Sequence, residues 1–253
     1  MTVRLFPHSQ TTDTFGATHT TEGEETDMDQ KAKQQLAAGI ALLAGFALWT
    51  ALIQLVDVQP VGQNGTDISF ATLNTWFHGL TGVNMALYAI TDWLGLVPIA
   101  ICLGFAVLGA IQLVSRRSLL KVDPDILLLG AYYVVVIFFY LLFEMVPINY
   151  RPIPIEGVME ASYPSSTTLL VLSVMPTLSF QVRRRSDSPL LGKCVTVFVI
   201  AFSAFMVVGR LVSGVHWSTD IVGSVLLALG LVAMYHFVVA RIDARLSAQH
   251  LEE

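Results

Sequence analysis

Residues 126–146 read ILLLGAYYVVVIFFYLLFEMV, and this run decides the class of fold. It contains one charged residue, Glu144, and it matches the roughly 20 apolar residues that an α-helix needs to cross a bilayer. The whole chain shares the bias, because 54% of its 253 residues are hydrophobic and 13% are charged. A soluble domain carries about 25% charged residues. The composition therefore excludes an ordinary soluble enzyme and indicates an integral membrane protein.

Apolar runs of similar length predict an all-α integral membrane protein with six transmembrane helices. The runs cover residues 36–56, 93–114, 126–146, 165–182, 194–212 and 221–240. Residues 69–80, SFATLNTWFHGL, have apolar positions at helical spacing but are too polar to cross. They predict an additional interfacial helix between the first two spans.

The charged residues divide the chain into three parts. Residues 1–30 are Thr-rich, carry six acidic residues against one basic residue and have no apolar run, which predicts a disordered acidic tail. Residues 31–245 form the predicted six-helix domain, and residues 246–253 form a short C-terminal tail. No separate soluble domain is expected.

The basic residues predict the orientation, because Lys and Arg accumulate on the cytoplasmic side of short loops. With a cytoplasmic N-terminus, 12 of the 14 Lys and Arg residues lie on the inner side. We therefore expect both termini to lie in the cytoplasm. The membrane we expect is the cytoplasmic membrane of a bacterium. The two exceptions, Arg151 and Arg210, fall at the outer ends of the third and fifth spans and need a separate reason.

The turn between the last two spans carries the first candidate chemistry, GRLVSGVHWSTDIVGS at residues 209–224. His216 and Asp220 are four residues apart and would share a face if both lay on the first turn of the last helix. A carboxylate there fixes the tautomer of the imidazole and leaves its other nitrogen free as a nucleophile or base. Arg210, six residues upstream, has the planar fork that suits two phosphate oxygens.

The segment between the third and fourth spans adds a candidate anion site, NYRPIPIEGVMEASYPSSTTLL at residues 149–170. Arg151 lies in a Pro-rich turn, and Ser165 and Ser166 open the next helix. Hydroxyl groups and free backbone N–H groups at a helix N-terminus bind anions. Under the predicted topology, Arg151, Ser165 and Ser166 lie at the outer face of the membrane. The two catalytic candidates, His216 and Asp220, lie at the same face.

These residues resemble three sequence blocks of the type-2 phosphatidic acid phosphatase superfamily, membrane lipid phosphate phosphatases related to the vanadium haloperoxidases. The blocks are Lys, six residues, Arg-Pro; Pro-Ser-Gly-His; and Ser-Arg, five residues, His, three residues, Asp. Arg210, His216 and Asp220 match the third block at its spacing, with Gly209 where Ser is usual. The other matches are Arg151-Pro152 in the first block and Pro164-Ser165 in the second.

Two of the departures from these blocks fall at positions with catalytic or binding roles in the family. Glu144 stands where the first block has Lys, and Thr167 stands where the second block has His. In the family the Lys binds phosphate and the His serves as general acid and then as general base, so neither role transfers to this chain. Thr167, Glu144 and His78, the last within the interfacial segment, are secondary candidates for supplying what is missing.

The resemblance implies hydrolysis of a terminal phosphate through a phosphohistidine formed on His216, with Arg151, Ser165, Ser166 and Arg210 binding the phosphate. General acid catalysis contributes about 10²- to 10⁴-fold, and a diphosphate needs it least because its leaving group is already acidic. The missing His therefore favours a substrate like undecaprenyl diphosphate. The alternatives are a phosphatidylglycerol phosphate or phosphatidate phosphatase, and a weakly active or inactive relative that binds or translocates a phosphorylated lipid.

The expected partners are the bilayer and a membrane lipid phosphate, with no nucleic acid. No cofactor is expected. Glu156 and Glu160 lie near Arg151 but have no His or Asp at ligand spacing, so no metal site is predicted.

Overall fold

The computed structural model describes residues 17–252, and within them the chain is all-helical apart from its turns and loops. This confirms the predicted all-α class. The α-helices are α1 Ala17–Leu52, α2 Ala71–Thr81, α3 Met85–Leu94, α4 Leu96–Arg116, α5 Pro124–Met145, α6 Ser166–Arg185, α7 Pro189–Val212 and α8 Ser218–Glu252. Short 3₁₀-helices cover Gln63–Gly65 and Leu119–Lys121.

Within residues 17–252, five helical stretches are long and apolar enough to cross a membrane. They lie in α1, in α3 and α4 taken together, and in α5, α7 and α8. The predicted fourth span, 165–182, corresponds to α6, which is too polar to count among them. The chain is thus an apolar helical membrane protein in which one central helix differs from the rest.

Helix α6 is polar because its neighbours, and not lipid, surround it. Ser173, Thr177 and Gln181 are fully buried along it. Tyrosines of the flanking helices satisfy part of this polarity: Tyr133 pairs with Thr177 at 2.7 Å, and Gln181 Nε2 donates to Tyr235 at 3.1 Å. The Ser173 hydroxyl and Gln181 Oε1 have no hydrogen-bond partner among the described residues. A buried polar group costs free energy when it lacks a partner, so these tyrosine contacts reduce the cost of placing α6 in the centre of the bundle.

The structure differs from the sequence prediction at both tails. Helix α1 begins at Ala17 and α8 extends to Glu252, so residues 17–30 and 246–252 are helical where tails were expected. Each stretch continues a long helix whose nucleation is already complete, so every further residue adds a backbone hydrogen bond. Residues 1–16 of the predicted disordered tail lie outside the described residues.

A second difference lies between the first two predicted spans. Helix α2 occupies most of the predicted interfacial segment, but α3 was not predicted. Asn84 caps it by accepting a hydrogen bond from the Leu87 N–H at 3.0 Å. The predicted second span began at residue 93, inside α3, because the hydrophobic pattern continues from α3 into α4 and does not show the break at Gly95.

The two ends of the bundle have different charge chemistry. At one end, Arg184 pairs with Asp243 at 2.6 Å and Arg185 with Asp125 at 2.8 Å. Helix α6 carries these arginines at its C-terminus and Ser166 at its N-terminus, about 30 Å away at 1.5 Å per residue. The candidate site therefore lies at the end of the bundle opposite this ion-pair cluster.

We expect the close packing of α1 on α8 to fail when a methyl group is added at Gly230. A Cβ there would lie 2.9 Å from the Leu43 side chain and 3.2 Å from its backbone nitrogen. Overpacking of this kind costs about 1–3 kcal/mol. Gly230→Ala should therefore lower the midpoint of thermal unfolding of the purified protein in detergent.

Gly104→Ala is the matched control, because a Cβ at Gly104 of α4 would have no atom within 4 Å. Equal unfolding midpoints for the two variants would contradict the packing described for α1 and α8.

Candidate active site

His216 lies in a tight turn, residues 213–217, between α7 and α8. It is not on the first turn of α8, as the sequence predicted, because that helix begins at Ser218. Gly214 makes the turn with a φ of +70°, and a Cβ there would lie 2.0 Å from the Gly82 carbonyl oxygen. Only glycine fits this backbone and this approach, and the turn holds His216 in the protein interior.

The hydrogen bonds of His216 define its tautomer. Its Nδ1 lies 3.1 Å from the Ser162 carbonyl oxygen and 3.6 Å from Asp220 Oδ2. Both atoms are acceptors, so Nδ1 carries the proton and donates it. Nε2, which lies 3.4 Å from Ser165 Oγ, therefore keeps its lone pair.

Asp220 holds the turn as well as facing the imidazole. Its Oδ2 accepts a hydrogen bond from the Trp217 N–H at 2.9 Å, the capping interaction of a carboxylate at the third helical position. This is why Asp220 stands 3.6 Å from Nδ1 and the Ser162 carbonyl takes the closer place. The sequence predicted that Asp220 alone fixes the tautomer of His216. In the structure, two acceptors, the Ser162 carbonyl oxygen and Asp220 Oδ2, face Nδ1.

The segment that carries Arg151 is fixed by contacts with distant parts of the chain. Gln63 donates to the Arg151 carbonyl at 2.8 Å, and the Trp217 indole donates to the Tyr150 carbonyl at 2.9 Å. The Arg151 side chain is buried, with its Nε 3.0 Å from Glu160 Oε2. The Nε–H does not point at that oxygen, however, and Nε and Nη1 have no hydrogen-bond partner among the described residues.

Arg210 reaches the same region from α7 and is almost fully buried. Its Nη2 donates to Asp92 Oδ1 at 3.1 Å and to the Thr167 hydroxyl. Nε and Nη1 of Arg210 also lack a partner in the described part of the chain. Two buried guanidinium groups thus retain N–H donors that could bind an oxyanion.

Tyr88 of α3 joins the two arginines. Its ring centroid lies 4.9 Å from the Arg210 guanidinium carbon and 5.9 Å from that of Arg151. A ring face at this range attracts the cations. It thereby offsets part of the repulsion between two positive charges held close together.

The environment of His216 favours the neutral imidazole. Burial, followed by the positive charges of Arg151 and Arg210, holds the pKa of His216 well below its usual range. A neutral imidazole with a free Nε2 is the form that acts as a nucleophile.

A cavity of about 830 Å³ opens beside the arginines. Its polar lining residues include Asp92, Glu144, Arg151, Glu160, Thr167 and Arg210. Its apolar lining residues include Leu96, Ile99, Val136, Ile137, Leu141 and Leu170. The volume lies in the range of small-molecule sites, and this mixed lining suits a ligand with a charged headgroup and a hydrocarbon chain.

The remaining predicted site residues differ in whether they line the cavity. Ser165 is fully buried, and its hydroxyl donates to Thr168 at 3.1 Å and makes no backbone cap. Ser166 and Glu144 line the cavity, but the carboxylate beside Arg151 is that of Glu160. His78 does not line the cavity; its Nε2 lies 3.1 Å from the Gly214 carbonyl oxygen, where it supports the turn.

Sequence reasoning missed the contribution of α3. Tyr88 and Asp92 are four residues apart and both contact Arg210. They were hidden because the whole of α3 was assigned to a loop and to the beginning of an apolar span. Their spacing of four residues places both side chains on one face of a helix, and this spacing is the signal that could have found them.

Among residues 17–252, no group of three or more His, Cys, Asp or Glu side chains is arranged to hold a metal ion.

One solved structure has the same architecture over most of its length. It is the first transmembrane PAP2 type phosphatidylglycerolphosphate phosphatase from Bacillus subtilis, with a TM-score of 0.51 and 20% sequence identity. The match covers 81% of this chain and 96% of that chain. The chain has the fold of a PAP2-type phosphatase. No protein-family model matches the sequence, and neither does any curated protein.

The PAP2-type fold agrees with the expectation from the three sequence blocks. The blocks rest on a few residues, and the fold rests on the course of the whole backbone. They are therefore independent observations, and both point to the same class of membrane protein.

We expect His216 to remain neutral at pH values where an ordinary histidine is protonated. In ¹⁵N-histidine-labelled protein, the His216 signal, assigned with His216→Asn, should show a neutral Nδ1–H imidazole on both sides of pH 6.5, the usual histidine value. Because the unfolded chain binds a proton that the folded chain excludes, His216 should also lower stability as the pH falls below that value. Protonation of His216 near pH 6.5 would contradict the burial described here.

Proposed function

We propose that this chain is an integral-membrane phosphatase that removes the terminal phosphate of a lipid phosphate or diphosphate. The observation that carries the proposal is the pair of buried arginines, Arg151 and Arg210, which line one cavity and keep N–H groups without a partner among the described residues. A buried cation without a full set of partners is costly. A phosphate bound between the arginines would satisfy both.

His216 would act as the nucleophile. Its Nε2 lone pair attacks the terminal phosphorus, the bond from phosphorus to the bridging oxygen breaks, and the leaving group departs with that electron pair. The product is a phosphohistidine. Water then attacks the phosphorus, the P–Nε2 bond breaks, and inorganic phosphate is released.

Arg151, Arg210, Ser165 and the N-terminus of α6 at Ser166 would hold the equatorial oxygens of the phosphate during both steps. Fixed donors aimed at developing charge account for most of the acceleration of phosphoryl transfer. Asp220 and the Ser162 carbonyl would stabilise the imidazolium character that His216 acquires as its Nε2 forms the new bond.

The substrate we favour is a polyprenyl diphosphate resembling undecaprenyl diphosphate. Thr167 accepts a hydrogen bond from Arg210 and has no acidic proton to give to a leaving group. A diphosphate leaves as a phosphate monoester and needs such help least, whereas an alkoxide leaving group loses about 10²- to 10⁴-fold without it.

A phosphatidylglycerol phosphate is the second candidate. It is favoured by the fold shared with the Bacillus subtilis phosphatidylglycerolphosphate phosphatase. Its monoester would require a proton donor at the polar end of the cavity, where Asp92, Glu144 and Glu160 are the available carboxyl groups.

In the membrane arrangement we propose, α6 is an additional span, fourth in chain order, that packs against α4, α5, α7 and α8. Helix α2 lies in the outer interface. The ion-pair cluster around Arg184 and Arg185 would face the cytoplasm with both termini, and His216 would face outward. The distribution of Lys and Arg supports this orientation. We infer that the bilayer is a bacterial cytoplasmic membrane.

The purified protein should release phosphate from a panel of lipid phosphates, and His216→Ala should abolish that release. On the panel, kcat/KM for undecaprenyl diphosphate should exceed that for phosphatidate by at least tenfold, since the second substrate needs a leaving-group proton. Colorimetric phosphate release in detergent measures both.

His236→Ala is the matched histidine control, because His236 packs on Phe180 and contacts neither the turn of His216 nor the cavity. Equal rates for wild type and His216→Ala would overturn the mechanism. A higher kcat/KM for phosphatidate would overturn the substrate class and leave the phosphatase assignment intact.

The orientation can be tested with single cysteines in intact cells, after the natural Cys102 and Cys194 have been replaced. A cysteine at Glu156, exposed in the loop of Arg151, should react with a membrane-impermeant maleimide. A cysteine at Arg184 should react only after the cells are opened. The reverse pattern would place the site on the cytoplasmic side.

A further inference from the structure

Helix α3 approaches α7 at a position where this chain departs from the family pattern. A Cβ at Gly209 would lie 2.7 Å from the Thr91 methyl group. The serine usual at this position would therefore push α3 away. Glycine allows Thr91 to pack, fully buried, against α7.

This close approach determines the place of the next residue on each helix. Asp92 follows Thr91 and Arg210 follows Gly209, and their side chains meet at 3.1 Å. Thr167, at the second departure, accepts from the same Arg210 nitrogen as Asp92. A Cβ at Gly95, just beyond α3, would lie 3.5 Å from the Thr167 methyl group, so the end of α3 occupies the space beside Thr167.

We propose that Asp92 is the general base that activates water for hydrolysis of the phosphohistidine. The inference rests on the proposed function and adds a catalytic residue that the three sequence blocks do not contain. Asp92 replaces, from a different helix, the proton acceptor that Thr167 cannot provide.

The position of Asp92 suits an in-line reaction. His216 is buried and is not among the residues that line the cavity, whereas the Asp92 side chain is 55% exposed and does line it. A phosphate held by Arg210 would thus have the nucleophile on its inner side and Asp92 on its cavity side. The leaving group departs on the cavity side, and water attacks the phosphohistidine from the same direction.

The step balances as a simple hydrolysis. A water oxygen forms a bond to phosphorus, one water proton passes to an Asp92 carboxylate oxygen, and the P–Nε2 bond breaks with its electron pair returning to His216. The proton leaves Asp92 for solvent through the cavity. Asp92 pairs with Arg210, and an ionised carboxylate is the form that accepts a proton.

The other carboxylates of the cavity are less well placed. Glu160 lies beside Arg151, and in the described part of the chain no hydrogen bond or ion pair joins it to Arg210 or Thr167. Glu144 has no ion pair among the described residues to hold it near the phosphate site. Within residues 17–252, Asp92 is the carboxylate that shares a guanidinium nitrogen with Thr167, the position that departs from the family histidine.

The test is to trap the phosphoenzyme of Asp92→Asn in full-length protein, using farnesyl diphosphate labelled with ³²P in its terminal phosphate. Asparagine keeps the oxygen that accepts from Arg210 but cannot take a proton. Attack by His216 should continue, giving a burst of farnesyl phosphate close to one equivalent per site. Steady-state kcat should fall by about 10²- to 10⁴-fold, while acid-labile, alkali-stable ³²P accumulates on the protein.

Glu160→Gln is the matched variant, because it removes a carboxylate beside the other arginine and should accumulate no phosphoenzyme. His216→Asn should give neither burst nor label. If Asp92→Asn does not fold, as judged by its unfolding midpoint, Asp92→Ser carries the same test.

Each outcome decides the proposal. A burst with trapped label in Asp92→Asn alone supports it. A kcat within threefold of wild type overturns it, and so does loss of turnover without label, since Asp92 would then only position Arg210. If wild type itself releases no phosphate, or His216→Asn is as active as wild type, the proposed function fails first and the role of Asp92 fails with it.

Discussion

Two guanidinium groups held close together inside a membrane protein are the constraint on which the rest of the structure depends. Arg151 and Arg210 are buried, and each keeps N–H groups for which residues 17–252 supply no acceptor. Partial compensation comes from one carboxylate for each arginine and from the shared ring of Tyr88. A folded chain tolerates such incomplete pairing at a binding site, where the ligand completes it.

The helical scaffold serves to bring these groups to one end. Helix α6 runs through the centre, where tyrosines of its neighbours bond two of its buried polar side chains, and its N-terminus lies at the end of the bundle that holds the arginines. The turn after α7 fixes His216 through Gly214 and Asp220. Helix α3 closes the arrangement from the side by packing on α7. Most of the hydrophobic surface of the bundle thus supports a small polar region at one end.

The sequence predicted the helical class and most of the helices correctly, because long apolar runs report burial or lipid contact directly. It placed His216, Asp220 and the two arginines at one face, since residues at neighbouring helix ends must meet. It failed at α3, where uninterrupted hydrophobicity concealed a break at Gly95 and the residues Tyr88 and Asp92. It also left open whether His216 lies on the last helix, because spacing along a sequence does not reveal where a helix begins.

The departures from the family pattern form one connected change in packing. Gly209 admits Thr91, Thr91 brings Asp92 to Arg210, and Thr167 completes the contact with the same arginine. No single position would show this, because Asp92 and Arg210 are 118 residues apart in the sequence. In the reaction we propose, the family resemblance accounts for the groups that bind phosphate, and the packing particular to this chain accounts for the base that activates water.

The central claim is that phosphate is transferred first to His216 and then to water, both times in line. The stereochemical course at phosphorus tests it most directly, with a lipid diphosphate whose terminal phosphorus is chiral through sulfur and oxygen isotopes. Two in-line displacements invert the centre twice, so the account predicts net retention in the released thiophosphate. Net inversion would show direct attack by water and would contradict the account.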